Sequence, residues 1–348
     1  MRRRDYEAPG SLTNGVTCVG NYNPRSGIGQ AATDNARVIE TMFPIDRVTQ
    51  GPGKYRLHYY HGMPQEELPS WMGEFPNTAY WMVETTAIHP HFKRSAQIHT
   101  EIWTGSTASK LSIETLNVDT PVVVVPHIVP VPERKARVRD YKKKFRVFTA
   151  MAPPTSRKNP EGVLKAFKKA FPISKYRDTV ELVFKFRTPE HTFRHLCKAL
   201  ADNDPRVTFL FEEMGRDELF GWYANSDAYI SLQRGGAFEL HCAEAAAFGL
   251  PIITTRVGGV TDYLDDSFSK LIDGTVAPFD GEHKVNSGGT WIEPDVSLAA
   301  QALREYYDMP ESERTLIREA SRASIADKLS EARVKSIFHE RISILLSK

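Results

Sequence analysis

Two short stretches carry residue types that could do chemistry together. The first is Arg157-Lys158, followed by Asn159-Pro160 and an amphipathic segment that stops before Pro172. Proline suits the first turn of a helix, so the spacing predicts a helix from about Pro160. Adjacent cations before a helix N-terminus offer positive potential to one anion, the requirement for cradling a diphosphate. The second is Arg234-Gly235-Gly236-Ala237-Phe238-Glu239, which runs into an alanine-rich segment carrying Glu244. Glycines let backbone amides approach a ligand closely, and a carboxylate on the first turns of the next helix can accept paired hydrogen bonds from vicinal hydroxyls such as those of a ribose. Blander readings fit the same residues: surface cations ahead of a helix, and a carboxylate that favours the positive end of the helix dipole. A nucleophile elbow is excluded, because no serine lies in the loop.

The elements needed to hold these residues are legible. Tyr229 to Leu232 is an apolar strand, the alanine-rich segment to Gly249 is a buried helix, and Pro251 to Thr255 is a second strand, making a βαβ unit. In open α/β sheets ligands lie outside the carboxyl ends of the strands, which puts Gly235 to Leu240 at a ligand-facing edge. Phe145 to Ala150, Val180 to Phe186 and Val207 to Phe211 read as further strands, with Lys185 near the end of one of them. Pro189 to Leu200 and Glu218 to Ala224 read as helices, Gly258-Gly259 as a turn into a helix ending at Leu264, and Trp291 to Asp295 as a turn before another helix.

The N-terminal half repeats the pattern. Residues 1 to 13 read as a loose arm. Val16 to Gly20 is a strand, and Gly27 and Gly29 sit at the turn into a helix, where amides could meet a phosphate or sugar, with Arg25 and Ser26 alongside. Arg56 to Tyr60 is a strand that places His61 at its end, and Ala79 to Val83 is another that places Glu84 just beyond. A hydrogen-bonded loop histidine and a helix N-terminal carboxylate are equally consistent with these two. A strand, a capped helix and the buried strand Val122 to Val125 follow, and Pro126, Pro130 and Pro132 mark a hinge. The basic run Arg134 to Val147 fits either a solvated linker or a contact with a polyanion such as DNA.

At 348 residues the chain suits two domains. With 45 basic against 43 acidic residues there is no global signal for nucleic acid or an anionic membrane. Three scattered cysteines lack metal-like spacing, which suits a reduced cytoplasmic protein. Neither a signal peptide nor a run of roughly twenty apolar residues is present.

The run from Arg234 to Ile252 resembles the donor-site signature of retaining GT-B glycosyltransferases of the group 1, or GT4-type, family. Arg234, Gly235, Phe238, Leu240, Glu244, Ala245, Ala247, Gly249, Pro251 and Ile252 match. Arg157 to Pro160 is similar to the family's diphosphate loop, and Trp81 to Thr86 to a strand-end pattern. One departure stands out: the first glutamate of the family's pair, eight positions before Glu244, falls at Gly236, with Glu239 nearby as a substitute.

The resemblance implies an α/β GT-B fold of two Rossmann-like domains with an interdomain cleft: residues 1–132 for the acceptor, 133–329 for the donor, and a helix over 330–348 packing back on the first domain. It implies transfer of a sugar from a nucleoside diphosphate sugar to a hydroxyl, with retention, by a hexosyl- or pentosyltransferase. The donor is a UDP-sugar in preference to a GDP-sugar, and no cofactor or metal is required. Arg157 and Lys158 would hold the diphosphate and stabilise its departure, Glu244 would orient the ribose, and Gly236 to Phe238 would hold the sugar. Glu239, Gly27, Gly29, Lys185 and Arg234 join the donor site, the region Glu212 to Gly215 lies near the base, and His61 and Glu84 take catalytic roles. The acceptor is a glycan or small molecule, with hydroxymethylated DNA as an alternative. A monomer or homodimer is expected, and a non-catalytic nucleotide-sugar binding protein is the competing reading.

Overall fold

The computed structural model describes residues 12–23, 27–65, 70–151, 156–186, 201–281 and 283–348. Most of the expected N-terminal arm, Arg25, Ser26, Cys197 and the expected helix Pro189 to Leu200 lie outside the described residues. The chain folds as two compact units: residues 1–128 with Lys284–Gly289 and Glu331–Lys348, and residues 129–283 with Thr290–Ser330.

The first unit is a six-stranded sheet in the order β2-β1-β3-β4-β5-β6. Its strands are β1 (Leu12–Gly20), β2 (Ile45–Val48), β3 (Tyr55–His61), β4 (Asn77–Trp81), β5 (Glu101–Thr104) and β6 (Val122–Val124). Every neighbouring pair is parallel. The strand thus begins at Leu12, earlier than the expected Val16, with a register shift before Val16. Parallel sheets need cover on both faces. The helix Gly27–Glu40 supplies some of it, as does Glu331–Leu346, whose Arg341 is ion-paired to the buried Glu101 and whose Phe338 lies 5.7 Å from the Trp103 ring. The short segment Lys284–Gly289 also belongs here: Val285 joins the apolar cluster of Trp81, Ile88 and Phe92, and Gly288 and Gly289 lie against the backbone of Ile88 and Ala87 too closely for a Cβ.

The second unit has the order β12-β11-β10-β7-β8-β9, again all parallel. These are β7 (Phe145–Met151), β8 (Val180–Phe186), β9 (Val207–Leu210), β10 (Ala228–Ser231), β11 (Ile252–Thr255) and β12 (Ser269–Ile272). Side chains alternate between faces as the pleat dictates. Phe145, Val147, Ile230 and Leu232 pack with the helices Pro160–Ala170 and Val296–Asp308, while Phe148, Ala150 and Tyr229 pack with Arg216–Ala224 and Leu240–Phe248. Both units are therefore Rossmann-like α/β layers.

Three features correct or extend the reading of the sequence. Trp291 to Asp295 is not a turn: Thr290–Pro294 is a strand, β14, paired antiparallel with β13 (Gly274–Pro278). Gly258–Asp262 is a short 3-10 turn. The basic run leading into β7 is solvated in part, with Arg134, Lys135, Lys142 and Lys143 exposed, and anchored in part, since Arg137 bonds to the buried Asp227 at 2.5 Å, Arg139 is buried, and Arg146 within β7 bonds to Glu181 at 2.6 Å.

Gly221 offers a stability test on the helix that carries Arg216 and Tyr223. It lies inside the helix Arg216–Ala224 with nothing within 4 Å of an added Cβ. Gly221→Ala is expected to raise stability by about 0.5–1 kcal/mol, read by chemical denaturation, because glycine loses the most backbone entropy in a helix.

Candidate functional site

In the second unit the chain leaves β7 toward β8 on one side and reaches β10 on the other, so β7 and β10 flank the point where strand order reverses. Loops at the carboxyl ends of these two strands open beside each other, the usual place for a ligand in such a sheet. They are the two stretches that sequence chemistry singles out.

The loop after β7 ends in the 3-10 turn Ser156–Lys158 and Asn159. Asn159 adopts a left-handed conformation, φ 49°, and caps the helix Pro160–Ala170 by accepting from the Gly162 amide at 2.9 Å. Its amide nitrogen donates to the Leu232 carbonyl at 3.0 Å, tying this loop to the one after β10. A second tie runs from the Arg234 amide to the Arg157 carbonyl at 2.8 Å.

Within this frame Arg157, Lys158 and Glu239 meet. Lys158 Nζ lies 2.7 Å from Glu239 Oε1, and Arg157 Nη1 lies 3.4 Å from the same oxygen and 2.8 Å from the Gly235 carbonyl. Burial pushes the Glu239 carboxyl upward, but the Lys158 and Arg157 charges outweigh it and hold the group below its ordinary range. The approach depends on Gly236: a Cβ there would come within 2.5 Å of Glu239 Oε1. Glu239 itself stands at φ 65° ahead of the helix Leu240–Phe248, a left-handed conformation that costs a non-glycine residue about 1 kcal/mol. Tyr263 holds it there, its one hydroxyl proton shared between the carbonyls of Phe238 and Glu239, each at 2.9 Å. Neither the left-handed backbone nor this cation contact can be read from the local sequence.

Glu244 sits in the same helix, buried. Tyr223 donates its hydroxyl to Glu244 Oε2 at 3.3 Å, His241 Nδ1 lies 3.5 Å from that oxygen, and Arg216 Nη2 is 3.6 Å from Oε1. Tyr223, His241 and Arg216 were not among the residues singled out from sequence; a histidine three positions before a buried helical carboxylate was the available signal. Arg234 points elsewhere. Its side chain donates to Glu293 of β14 and to the Ser156 carbonyl, and its own carbonyl accepts from Ile292 at 2.9 Å, so it braces the loop against the hairpin. Ala237 and Phe238 are buried within the same loop. Lys185 is buried near the end of β8, paired in register with Ala150.

The remaining candidates belong to the first unit. Gly27 and Gly29 fall in the first turn of the helix Gly27–Glu40. His61 ends β3, stacked 4.6 Å from the Tyr80 ring, and burial pushes its pKa down to about 3. Asn35 donates to the Tyr59 hydroxyl at 2.9 Å, leaving that hydroxyl's proton for His61 Nδ1 at 2.6 Å. This favours the neutral tautomer with hydrogen on Nε2, an atom that is buried without a hydrogen-bond partner among the described residues. Glu84 follows β4 and is engaged by Asn286, which accepts from its amide at 2.9 Å and donates to its Oε2 at 3.3 Å. Among the described residues no group of three His, Cys, Asp or Glu is placed to hold a metal ion, and no helix is long and apolar enough to cross a membrane.

Comparison with solved structures gives the fold a name. The Anabaena Alr3699/HepE protein, solved in complex with UDP and glucose, is similar at TM-score 0.69 and 12% identity, over 95% of this chain and 99% of that one. The pneumococcal O-GlcNAc transferase GtfA, in complex with UDP and GlcNAc, is similar at TM-score 0.63 and 13% identity, over 92% of this chain and 61% of that one. A UDP-forming trehalose-phosphate synthase from Burkholderia xenovorans is similar at TM-score 0.62 and 14% identity, over 84% of this chain and 73% of that one. Curated protein sequences give no match. The two parallel-sheet units thus have the GT-B fold, and residues 144–284, which contain Arg157, Lys158, Glu239 and Glu244, match the family described as glycosyl transferases group 1.

Proposed function

We propose that the protein is a glycosyltransferase that moves a sugar from a nucleoside diphosphate sugar to a hydroxyl acceptor with retention at the anomeric carbon. The observation that carries this reading is the convergence of Arg157 and Lys158 on one carboxylate oxygen at the strand-order reversal of the second unit. A pair of cations aimed at one anion there suits a diphosphate, whose negative charge grows as the glycosidic bond breaks. Glu244 is assigned to the ribose hydroxyls, the Gly236 to Phe238 backbone and Glu239 to the sugar, and Lys185 and Arg234 to supporting the donor loop. A UDP-sugar is the favoured donor, by analogy with neighbours solved with UDP.

His61 and Glu84 keep their catalytic assignment from strand-end position, toward the sugar or the incoming hydroxyl. Neutral His61 would act there as a hydrogen-bond donor. Unchanged turnover in His61→Ala removes it from the mechanism. The acceptor is assigned to glycans or small molecules, with hydroxymethylated DNA as the second reading: Arg137, Arg139 and Arg146 of the basic run face Asp227 and Glu181, while Arg134, Lys135, Lys142 and Lys143 are exposed. Cys18 and Cys242 are buried free thiols, each pushed by burial up to about 12 and so held unreactive; a cytoplasmic location is assigned from the scattered cysteines of the sequence.

Donor hydrolysis tests the reading. Incubated with a panel of UDP- and GDP-sugars and no acceptor, the protein is expected to release UDP slowly from at least one donor. A protein that binds a nucleotide sugar and releases no diphosphate under any condition is a binding protein instead. Glu244→Ala is expected to weaken UDP about ten- to a hundredfold, a hydrogen-bonded charged group contributing about 1.5–3 kcal/mol, and to leave inorganic pyrophosphate unchanged in calorimetry.

A further inference from the structure

Lys158 is already occupied. Its ammonium lies 2.7 Å from Glu239 Oε1, with no other hydrogen-bond partner among the described residues, and Arg157 reaches the same oxygen. The contact is sheltered, since the side chains of Lys158 and Glu239 are 13% and 6% exposed. It is also built by the loop: the left-handed backbone at Glu239 turns its side chain back over Gly236, where a Cβ would meet the carboxylate. Two cations converge on one carboxylate oxygen at the centre. An incoming anion with a single charge would only exchange with Glu239 on even terms, whereas a diphosphate brings more charge and more acceptor oxygens to the same pair.

We infer that Glu239 is a resident anion in the diphosphate cradle, displaced from Lys158 when the nucleotide binds, and that it sets the phosphate charge the site demands. The inference rests on the reading of Arg157 and Lys158 as the diphosphate site. Glu239 thereby acts as a specificity-determining residue: it lowers affinity for every phosphate ligand while keeping the two half-buried cations paired in the unloaded protein. Removing the carboxylate charge leaves two cations facing the ligand.

Calorimetric titration with inorganic phosphate, pyrophosphate, UDP and uridine tests it on the full chain. Glu239→Gln is expected to bind pyrophosphate and UDP about tenfold more tightly and phosphate measurably where the wild type does not, with uridine unchanged. Glu239→Gly, which also relieves the left-handed backbone, is expected to show the same tightening, so poor folding of the glutamine variant does not decide the matter. Lys158→Ala is expected to weaken pyrophosphate and UDP at least about tenfold, and to abolish most of the gain from Glu239→Gln when the two are combined. If Lys158→Ala weakens binding while both Glu239 variants leave it unchanged or weaker, the resident-anion role is wrong and the diphosphate site stands. If Lys158→Ala has no effect, or no variant binds pyrophosphate or UDP, both are wrong.

Discussion

Gly258→Ala is expected to cost about 3 kcal/mol of stability and to abolish UDP binding. Gly258 stands at φ 70°, and a Cβ at this position would lie 1.8 Å from the carbonyl oxygen of Gly236. That atom cannot swing aside, because it is backbone and accepts from the Gly259 amide at 3.2 Å. The substitution therefore combines a strained conformation with displacement of the loop that carries Glu239. Urea denaturation gives the stability change and calorimetry with UDP the binding. A variant within 1 kcal/mol of the wild type that still binds UDP would show that the two turns do not depend on each other.

Acidification is expected to unfold the first unit well before its carboxylates titrate. His61, His99 and His127 are buried, and burial pushes their pKa values down to about 3, 4 and 4, with His127 lowering His61 further. In the unfolded chain each takes up a proton near pH 6.5, but in the folded unit not until pH 3 or 4. The unfolded state thus binds more protons across this window, and stability, complete above about pH 6.5, falls as the pH drops toward the folded values. Each histidine contributes up to about 1.4 kcal/mol per pH unit, and the three together up to about 4 near pH 5. Urea midpoints at neutral and mildly acidic pH, followed by fluorescence of the buried Trp103, which lies 5.5 Å from the Tyr59 ring, measure it. Equal midpoints at pH 7 and pH 5 would contradict histidines held neutral by burial.

Where side-chain pattern governs structure, the sequence was a good guide. Val180 to Phe186 forms the strand expected of it, and the helix after Arg157-Lys158 starts at Pro160 because the residue before it is a capping asparagine. The βαβ unit around Glu244 is equally direct, its alanines letting the helix lie close on the sheet. The helix Glu311–Lys328 is not legible in the sequence, because its buried positions include Arg314, Arg318 and Ser321 and no apolar stripe marks it. Pro294 at the end of β14 reads locally as a turn signal, yet a strand at the edge of a small hairpin tolerates proline. Within the site, Arg157, Lys158, Glu239 and Glu244 could each be nominated from residue type. That Glu239 reaches Lys158, or that Arg234 braces β14, depends on turns whose geometry is set by distant contacts such as Tyr263 and Gly258.

The bridge from Asn159 to Leu232 has a practical meaning for anyone who would re-engineer this chain. One amide side chain fastens two segments 73 residues apart in sequence, so neither can be transplanted alone. A chimera importing a relative's residues 232–239 without its residues 156–159 would leave a buried carbonyl without its donor and the adjoining helix aimed at the wrong spot. Exchanges that move both segments together are the ones that should yield a working hybrid.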